Sequence, residues 1–213
     1  MALVYLRELD TETKFAIWKI EETEQELSAR LQLNNDECEK LARLSKGKRT
    51  LHWLATRVLL RYLLRTDNYI SCPSDQNGKP YLPDYPYEIS LTHSYDYAGV
   101  LMSSAGPCGL DLEIVKDKVL RIKEKFLSEE ELSFIQLDNI EQLYACWCAK
   151  EAVYKLQGNK GVSFLGNMRI LPFTYAPQGV MTLELEKEDT ITSFQVYYEK
   201  FQEYMLGYVT SRR

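Results

Sequence analysis

Residues 108–114 read Cys108-Gly109-Leu110-Asp111-Leu112-Glu113-Ile114, and residues 147–155 read Trp147-Cys148-Ala149-Lys150-Glu151-Ala152-Val153-Tyr154-Lys155. The first stretch is apolar and strand-like with two carboxylates one residue apart, so Asp111 and Glu113 point to one face of a sheet. The second lies inside a helical pattern, residues 140–157, that stops at Gly158, a C-cap glycine. It embeds Lys-Glu-x-x-x-Lys among residue types that are usually buried, and charges are rarely placed that way without a partner. Strand and helix together read as a site for a divalent metal and a phosphate.

On the helix, Ala145, Ala149, Ala152, Val153 and Leu156 recur as one small-residue stripe suited to close packing. Tyr144, Cys148, Glu151 and Lys155 lie on another side, with Trp147 one turn before Glu151. A helix apolar on more than one side is a buried helix, which puts the Glu151 carboxylate in a cleft. Read alone, Glu151 with Lys155 is equally an i,i+4 ion pair on a solvated face, worth a few tenths of a kcal/mol. Asp111 and Glu113 shift that reading. Three carboxylates from a strand and a helix are the hard oxygen donors that Mg²⁺ takes, with substrate phosphate and water completing its shell.

Outward from these segments the pattern is α+β. Residues 3–9 alternate as a strand, 21–31 read as a polar, exposed helix, and Asn35 or Asp36 caps a short helix ending near Leu44. Over 48–65, Leu51, Leu54, Ala55, Val58 and Tyr62 recur at spacings of three and four, so this longer helix packs on a core. Gln76-Asn77-Gly78-Lys79-Pro80 is a turn, and Pro80, Pro83 and Pro86 keep the following segment extended. Strand-like runs at 88–92, 97–103 and 108–114 come next, the last two separated by Ser104-Ala105-Gly106-Pro107. In the second half Ser128 and Glu131 form an S-x-x-E capping box at a helix start. The 140–157 helix follows, and strand-like runs near 168–171, 180–186, 191–199 and 204–210 close the chain. Helices and then strands in both halves predict two intimately packed units, 1–104 and 105–213, with no low-complexity linker between them.

Composition bounds the function. The 213 residues can bury a real core, and the net charge of −5 with no long basic run does not favour DNA or RNA. Lys40, Arg43, Lys46, Lys48, Arg49 and Arg57 make one local positive cluster. The N-terminus lacks the basic start and apolar stretch of a signal peptide, and nothing approaches the ~18 consecutive apolar residues of a membrane span. Five cysteines, odd in number and irregularly placed, read as reduced thiols of a cytoplasmic protein. Cys146 and Cys148, one residue apart in a helical pattern, have a poor spacing for zinc.

The two quoted segments resemble, in residues and in spacing, the two signature motifs of the 4'-phosphopantetheinyl transferases. Upstream, Asn77-Gly78-Lys79-Pro80-Tyr81-Leu82 and Ile89-Ser90-Leu91-Thr92-His93-Ser94 resemble the family's Gly-Lys-Pro and Ser-His-Ser segments. Arg49-Thr50-Leu51 resembles a further coenzyme-binding position. The match runs in one order from about residue 40 to 165, with Cys108 and Cys148 as small replacements where the family has other residues, and Lys40 as the one clear counterpart of two phosphate-binding lysines. Length points to the surfactin-synthetase-activating type, an α+β fold of two similar pseudosymmetric halves in one chain.

The resemblance implies transfer of the 4'-phosphopantetheine arm of coenzyme A to a serine of an acyl or peptidyl carrier protein, as in fatty acid biosynthesis, with release of adenosine 3',5'-bisphosphate. Asp111, Glu113 and Glu151 are then expected to hold Mg²⁺, Glu151 to accept the serine proton, and Lys155 to stabilise charge on the diphosphate. Lys150 and His93 are expected to bind phosphates of the coenzyme, Arg49 its 3'-phosphate, and Lys79 and Pro80 to line the adenine pocket. Both halves of the site lie in one chain, so a monomer is expected.

Each residue also has a plainer reading. His93 at a strand end serves equally as a capping or hydrogen-bonding residue, Lys79 as a turn residue, and His52 as a structural one. Trp147 is expected to pack against the sheet and position Glu151. The lysine-rich stretch 115–126 either steers an acidic carrier or forms a solvated face. Two rival functions are a metal-dependent nuclease using Asp111, Glu113 and Lys116, which the acidic balance disfavours, and a non-catalytic module binding coenzyme A or a carrier protein.

Overall fold

The computed structural model describes residues 3–44, 47–158 and 160–212, and Lys46 of the positive cluster lies outside them. Strands β1 (Leu3–Glu8) and β2 (Thr13–Lys19) lead into two short helices, α1 (Glu24–Ser28) and α2 (Asn35–Arg43), and a long one, α3 (Lys48–Leu64). Next come β3 (Glu88–Ser94), β4 (Tyr97–Ser103) and β5 (Cys108–Ile114), then two 3-10 turns over Asp117–Arg121 and Lys123–Lys125. Helices α4 (Glu129–Phe134), α5 (Ile140–Gln157) and α6 (Phe164–Asn167) precede β6 (Met168–Ile170), β7 (Gln178–Lys187), β8 (Thr190–Phe201) and β9 (Tyr204–Thr210).

The strands form two antiparallel sheets, β1-β2-β4-β3 and β5-β9-β8-β7-β6. Each sheet carries one long helix, so the layers run α3, first sheet, second sheet, α5. Period-2 alternation sends successive side chains into different layers. Ala16, Val100 and Met102 meet Leu54, Val58 and Leu59 of α3. Phe15, Ile17 and Leu101 meet Leu110, Leu112, Leu206 and Tyr208 between the sheets. Met181, Leu183, Met205 and Val209 meet Ala145, Ala149, Ala152 and Val153 of α5.

Strand β2 is buried on both faces, from Phe15 to Trp18. An internal strand of this kind needs no polar alternation, which is why Phe15-Ala16-Ile17-Trp18 carries no half-buried strand signal in the sequence. The exposed helix expected over 21–31 is corrected to the short α1, started by a Thr23–Glu26 capping box, and its Leu27 is fully buried beside α3. Asn34, one residue earlier than expected, caps α2 through the Glu37 amide.

Two glycines set the height of α5 above its sheet. A Cβ on Gly109 would stand 1.8 Å from the Ala152 carbonyl oxygen, and one on Gly207 would stand 2.8 Å from the Cys148 carbonyl carbon. The alanine stripe and these glycines let helix and strand backbones approach far more closely than ordinary side chains allow. That approach brings Glu151 and Lys155 down to the level of Asp111 and Glu113.

Candidate active site

Asp111 and Glu113 project from β5 toward α5, as their spacing in the strand requires. Asp111 is 5% exposed, and its Oδ1 accepts from Lys155 Nζ at 2.7 Å and from Thr92 Oγ1 at 3.3 Å. Lys155 Nζ also donates to the Leu110 carbonyl at 2.9 Å. Among the described residues Asp111 Oδ2 is buried and has no hydrogen-bond partner. Glu113 accepts from Ser94 Oγ at 3.1 Å.

Electrostatics show how crowded this corner is. Burial first, and the neighbouring Asp111 second, push the Glu113 carboxyl above its ordinary range. Burial and Asp111 likewise raise Glu151 to about 7, against the opposing pull of Lys155. Acids rise this way when ionised groups are desolvated beside one another with too little positive charge among them.

Among the described residues no group of three or more His, Cys, Asp or Glu side chains is gathered into a ready-made metal cluster, and the cation seated on Asp111 is the Lys155 ammonium. The donor set still fits a hard divalent ion. It offers carboxylates only, one buried oxygen without a partner, and two glutamates whose ionisation is held back by burial first and by the Asp111 charge second.

A cleft of about 240 Å³ opens beside Lys155. Its walls include Gly78, Lys79, Pro80, Ser90, Tyr154 and Lys155, so the turn at 76–80 and the end of α5 share one cavity. Lys79 Nζ donates to the Leu156 carbonyl at 2.9 Å, which ties that turn to α5. The His93 ring is exposed on one side and stacks on the His52 ring on the other, with centroids 4.3 Å apart. Partial burial first, then His52 and Lys155, lower His93 to about 4, so it is neutral near pH 7. His52 is buried and bonded to the Tyr95 carbonyl at 2.8 Å.

Arg49 is exposed in the first turn of α3, next to Lys48. That helix end has no side-chain cap and no acidic residue, and two cations there oppose the helix dipole unless an anion joins them. Lys40 is exposed in the last turn of α2.

Lys150 does not reach this site. Its side chain is fully buried and pairs with Glu131 at 2.7 Å, while Nζ also donates to the carbonyls of Phe126, Met168 and Phe164 at 2.7, 3.1 and 3.2 Å. The expectation that it binds coenzyme phosphate is corrected. Four acceptors around a dry ammonium make it a clamp joining α5, α4 and the 164–168 segment. Burial lowers its pKa against the opposing pull of Glu131. Lys150→Met leaves Glu131 buried and unpaired, so we expect about 3–5 kcal/mol of lost stability in urea titration. Adding Glu131→Gln is expected to recover part of it. Trp147 is partly buried against the core that α5 shares with its sheet. Its ring packs edge-on against Phe126 and Phe164.

Three contributors carried no individual signal in the sequence. Thr92 and Ser94 hold the two strand carboxylates, and the sequence marked them only as neighbours of His93 in the segment that resembles Ser-His-Ser. The buried Tyr144 hydroxyl lies near Glu113, and its pKa is pushed up to about 12 by burial first and by that carboxylate second.

The raised Glu151 carboxyl has a stability consequence. Its folded pKa, about 7, exceeds the unfolded value, so ionisation opposes folding. The cost is complete above the folded pKa, shrinks as pH falls through 7, and is gone once both states are protonated near the unfolded pKa. Glu151→Gln should therefore be more stable than wild type by about 2 kcal/mol at pH 8, roughly 4–8 °C in Tm. The advantage should shrink to near zero at about pH 4. Thermal melts in a chelator at both pH values check this, and equal melting at pH 8 would contradict it.

A family model described as the 4'-phosphopantetheinyl transferase superfamily matches residues 107–209. That span contains Asp111, Glu113, Glu151 and Lys155, the residues gathered at this corner. Over that span the chain is similar to the 4'-phosphopantetheinyl transferase superfamily. It is similar to 4'-phosphopantetheinyl transferase psf-1 of Bacillus pumilus, 28% identical over 171 residues that cover 75% of this chain and 70% of that protein. It is also similar to 4'-phosphopantetheinyl transferase AcpT of Escherichia coli K12, 31% identical over 120 residues that cover 53% of this chain and 60% of that protein. A Haemophilus influenzae relative is 29% identical over 138 residues, 59% of this chain and 58% of its own length. The mixed architecture of two sheets and helices is of the α+β class expected from the sequence.

Proposed function

We propose that this chain transfers the 4'-phosphopantetheine arm of coenzyme A to a serine hydroxyl of an acyl or peptidyl carrier protein, releasing adenosine 3',5'-bisphosphate. The observation that carries the reading is the convergence of Asp111, Glu113, Glu151 and Lys155, the last of which also lines the cleft with Lys79 and Pro80. The match of residues 107–209 to the superfamily model and the names of the similar proteins support it. The site is assigned as Mg²⁺-dependent, with Asp111, Glu113 and Glu151 as the residues that would hold the ion. When bound, Mg²⁺ supplies charge neutralisation at the diphosphate and orientation for displacement.

The chain's own groups do the rest. Glu151 accepts the proton of the carrier serine as its oxygen bonds to the phosphorus bearing the pantetheine arm. The bond from that phosphorus to the bridging oxygen breaks, and its electron pair leaves with the adenosine bisphosphate. Lys155 can exchange its contact with Asp111 for a phosphoryl oxygen, stabilising charge that develops there. Lys79 and Pro80 line the wall assigned to the adenine, and Arg49 and neutral His93 stand on the side assigned to the coenzyme phosphates.

The lysines at 116, 118, 123 and 125 face the approach of an acidic carrier, and Lys116 with Lys48 flanks the exposed Tyr95 ring at 3.9 and 4.1 Å. We place the protein in the cytoplasm as a monomer. All five cysteines are free, and among the described residues no helix is long and apolar enough to cross a membrane. Intact mass of apo acyl and apo peptidyl carrier proteins, after incubation with this chain, coenzyme A and Mg²⁺, tests the proposal. A gain of one phosphopantetheinyl arm on either carrier is the expected result. No gain on both, with coenzyme A still bound, would replace the transferase with a binding module.

A further inference from the structure

The two sheets meet edge to edge at β3 and β5, and among the described residues no backbone ladder joins them there. Hydroxyls do the joining. The amides of Leu110, Leu112 and Ile114 donate to Ser90 Oγ, Thr92 Oγ1 and Ser94 Oγ at 2.9, 3.1 and 3.2 Å. The pairs keep a constant offset of 20 residues, so the strands run parallel with a side chain interposed at each rung. All three hydroxyls are buried.

A hydroxyl that accepts from an amide has its single proton free to give elsewhere. Thr92 gives it to Asp111 and Ser94 gives it to Glu113. Each of these rungs therefore fixes a strand backbone and aims a carboxylate at once. His93, between them in sequence, points to the opposite face and stacks on His52 of α3. We propose that Thr92 and Ser94 are positioning residues, orienting Asp111 and Glu113 for the cation site and locking the carboxylate strand in register with the strand that presents His93. The cation-site part rests on the function proposed above, whereas the hydroxyl–carboxylate coupling does not.

The test separates the two. Urea titrations compare Ser94→Ala in the wild-type and Glu113→Ala backgrounds. If the hydroxyl holds the carboxylate, the cost of Ser94→Ala falls by at least half when Glu113 is absent. An equal cost in both backgrounds makes Ser94 a sheet fastener only and overturns the proposal. Mn²⁺ binding to the coenzyme-free protein, read by water proton relaxation, supplies the second readout. Ser94→Ala and Thr92→Val should each weaken Mn²⁺ about 10-fold or more, as loss of groups orienting metal ligands does. Ser94→Thr, which keeps the hydroxyl, should restore affinity. Wild-type affinity in Ser94→Ala would overturn the positioning role. Failure of wild type to bind Mn²⁺ while the coupling persists would count against the metal site and leave the coupling supported.

Discussion

Gly109→Ala, the smallest possible side-chain addition on β5, is expected to cost at least 4 kcal/mol or to prevent folding, a tail reserved for forced overpacking with no room to relax. The added Cβ would lie 1.8 Å from the Ala152 carbonyl oxygen, 2.7 Å from its carbon and 3.0 Å from the Leu156 amide nitrogen. All three are backbone atoms of α5, so no rotamer change relieves the clash and the helix itself must rise. A lifted α5 loses the packing of Ala149, Ala152 and Val153 and parts Lys155 from Asp111. Gly161→Ala serves as the control, because nothing lies within 4 Å of the added carbon. Urea unfolding of both variants decides the matter. A Gly109→Ala protein within about 1 kcal/mol of wild type would show that α5 does not rest on β5 as described.

This contact also shows what the sequence made legible. The bounds of α5 follow from apolar periodicity and from Gly158, which adopts the left-handed conformation of a helix stop at φ 69°. The Ser128–Glu131 capping box is present as read. Its glutamate has a second duty that capping logic does not reveal, since the same carboxylate pairs with Lys150 nineteen residues on. A lysine inside a signature motif reads as a ligand contact, and only three-dimensional placement shows it surrounded by carbonyls. Strand β2 was hidden for a related reason, because burial between two layers removes the alternation that marks a half-buried strand. The Asp111–Glu113 spacing told which face both carboxylates share. It could not tell that Thr92 and Ser94, from the other sheet, would aim them.

Glu151→Gln is the second large effect. The substitution keeps shape and removes both the proton acceptor and one assigned metal ligand, so transfer should fall about 10³-fold, within the range for loss of a positioned general base. Coenzyme A affinity should change little, since the cleft walls at Lys79, Pro80 and Tyr154 are untouched. The same variant is expected to be more stable at pH 8, because a neutral amide escapes both the cost of burying a charge and the Asp111 repulsion that together raise the Glu151 carboxyl. A protein that gains stability while losing turnover is the signature of a strained charge kept for chemistry. A fold-wide defect would lower both.

The measurement that bears most directly on the central claim is the single-turnover rate at which an apo carrier protein gains the phosphopantetheinyl arm from coenzyme A and Mg²⁺. It is read by intact mass for wild type and Glu151→Gln side by side. Rapid modification by wild type, with the variant about 10³-fold slower at unchanged coenzyme A binding, is the predicted result. Equal rates for the two proteins would remove Glu151 from the chemistry and contradict the account of the site.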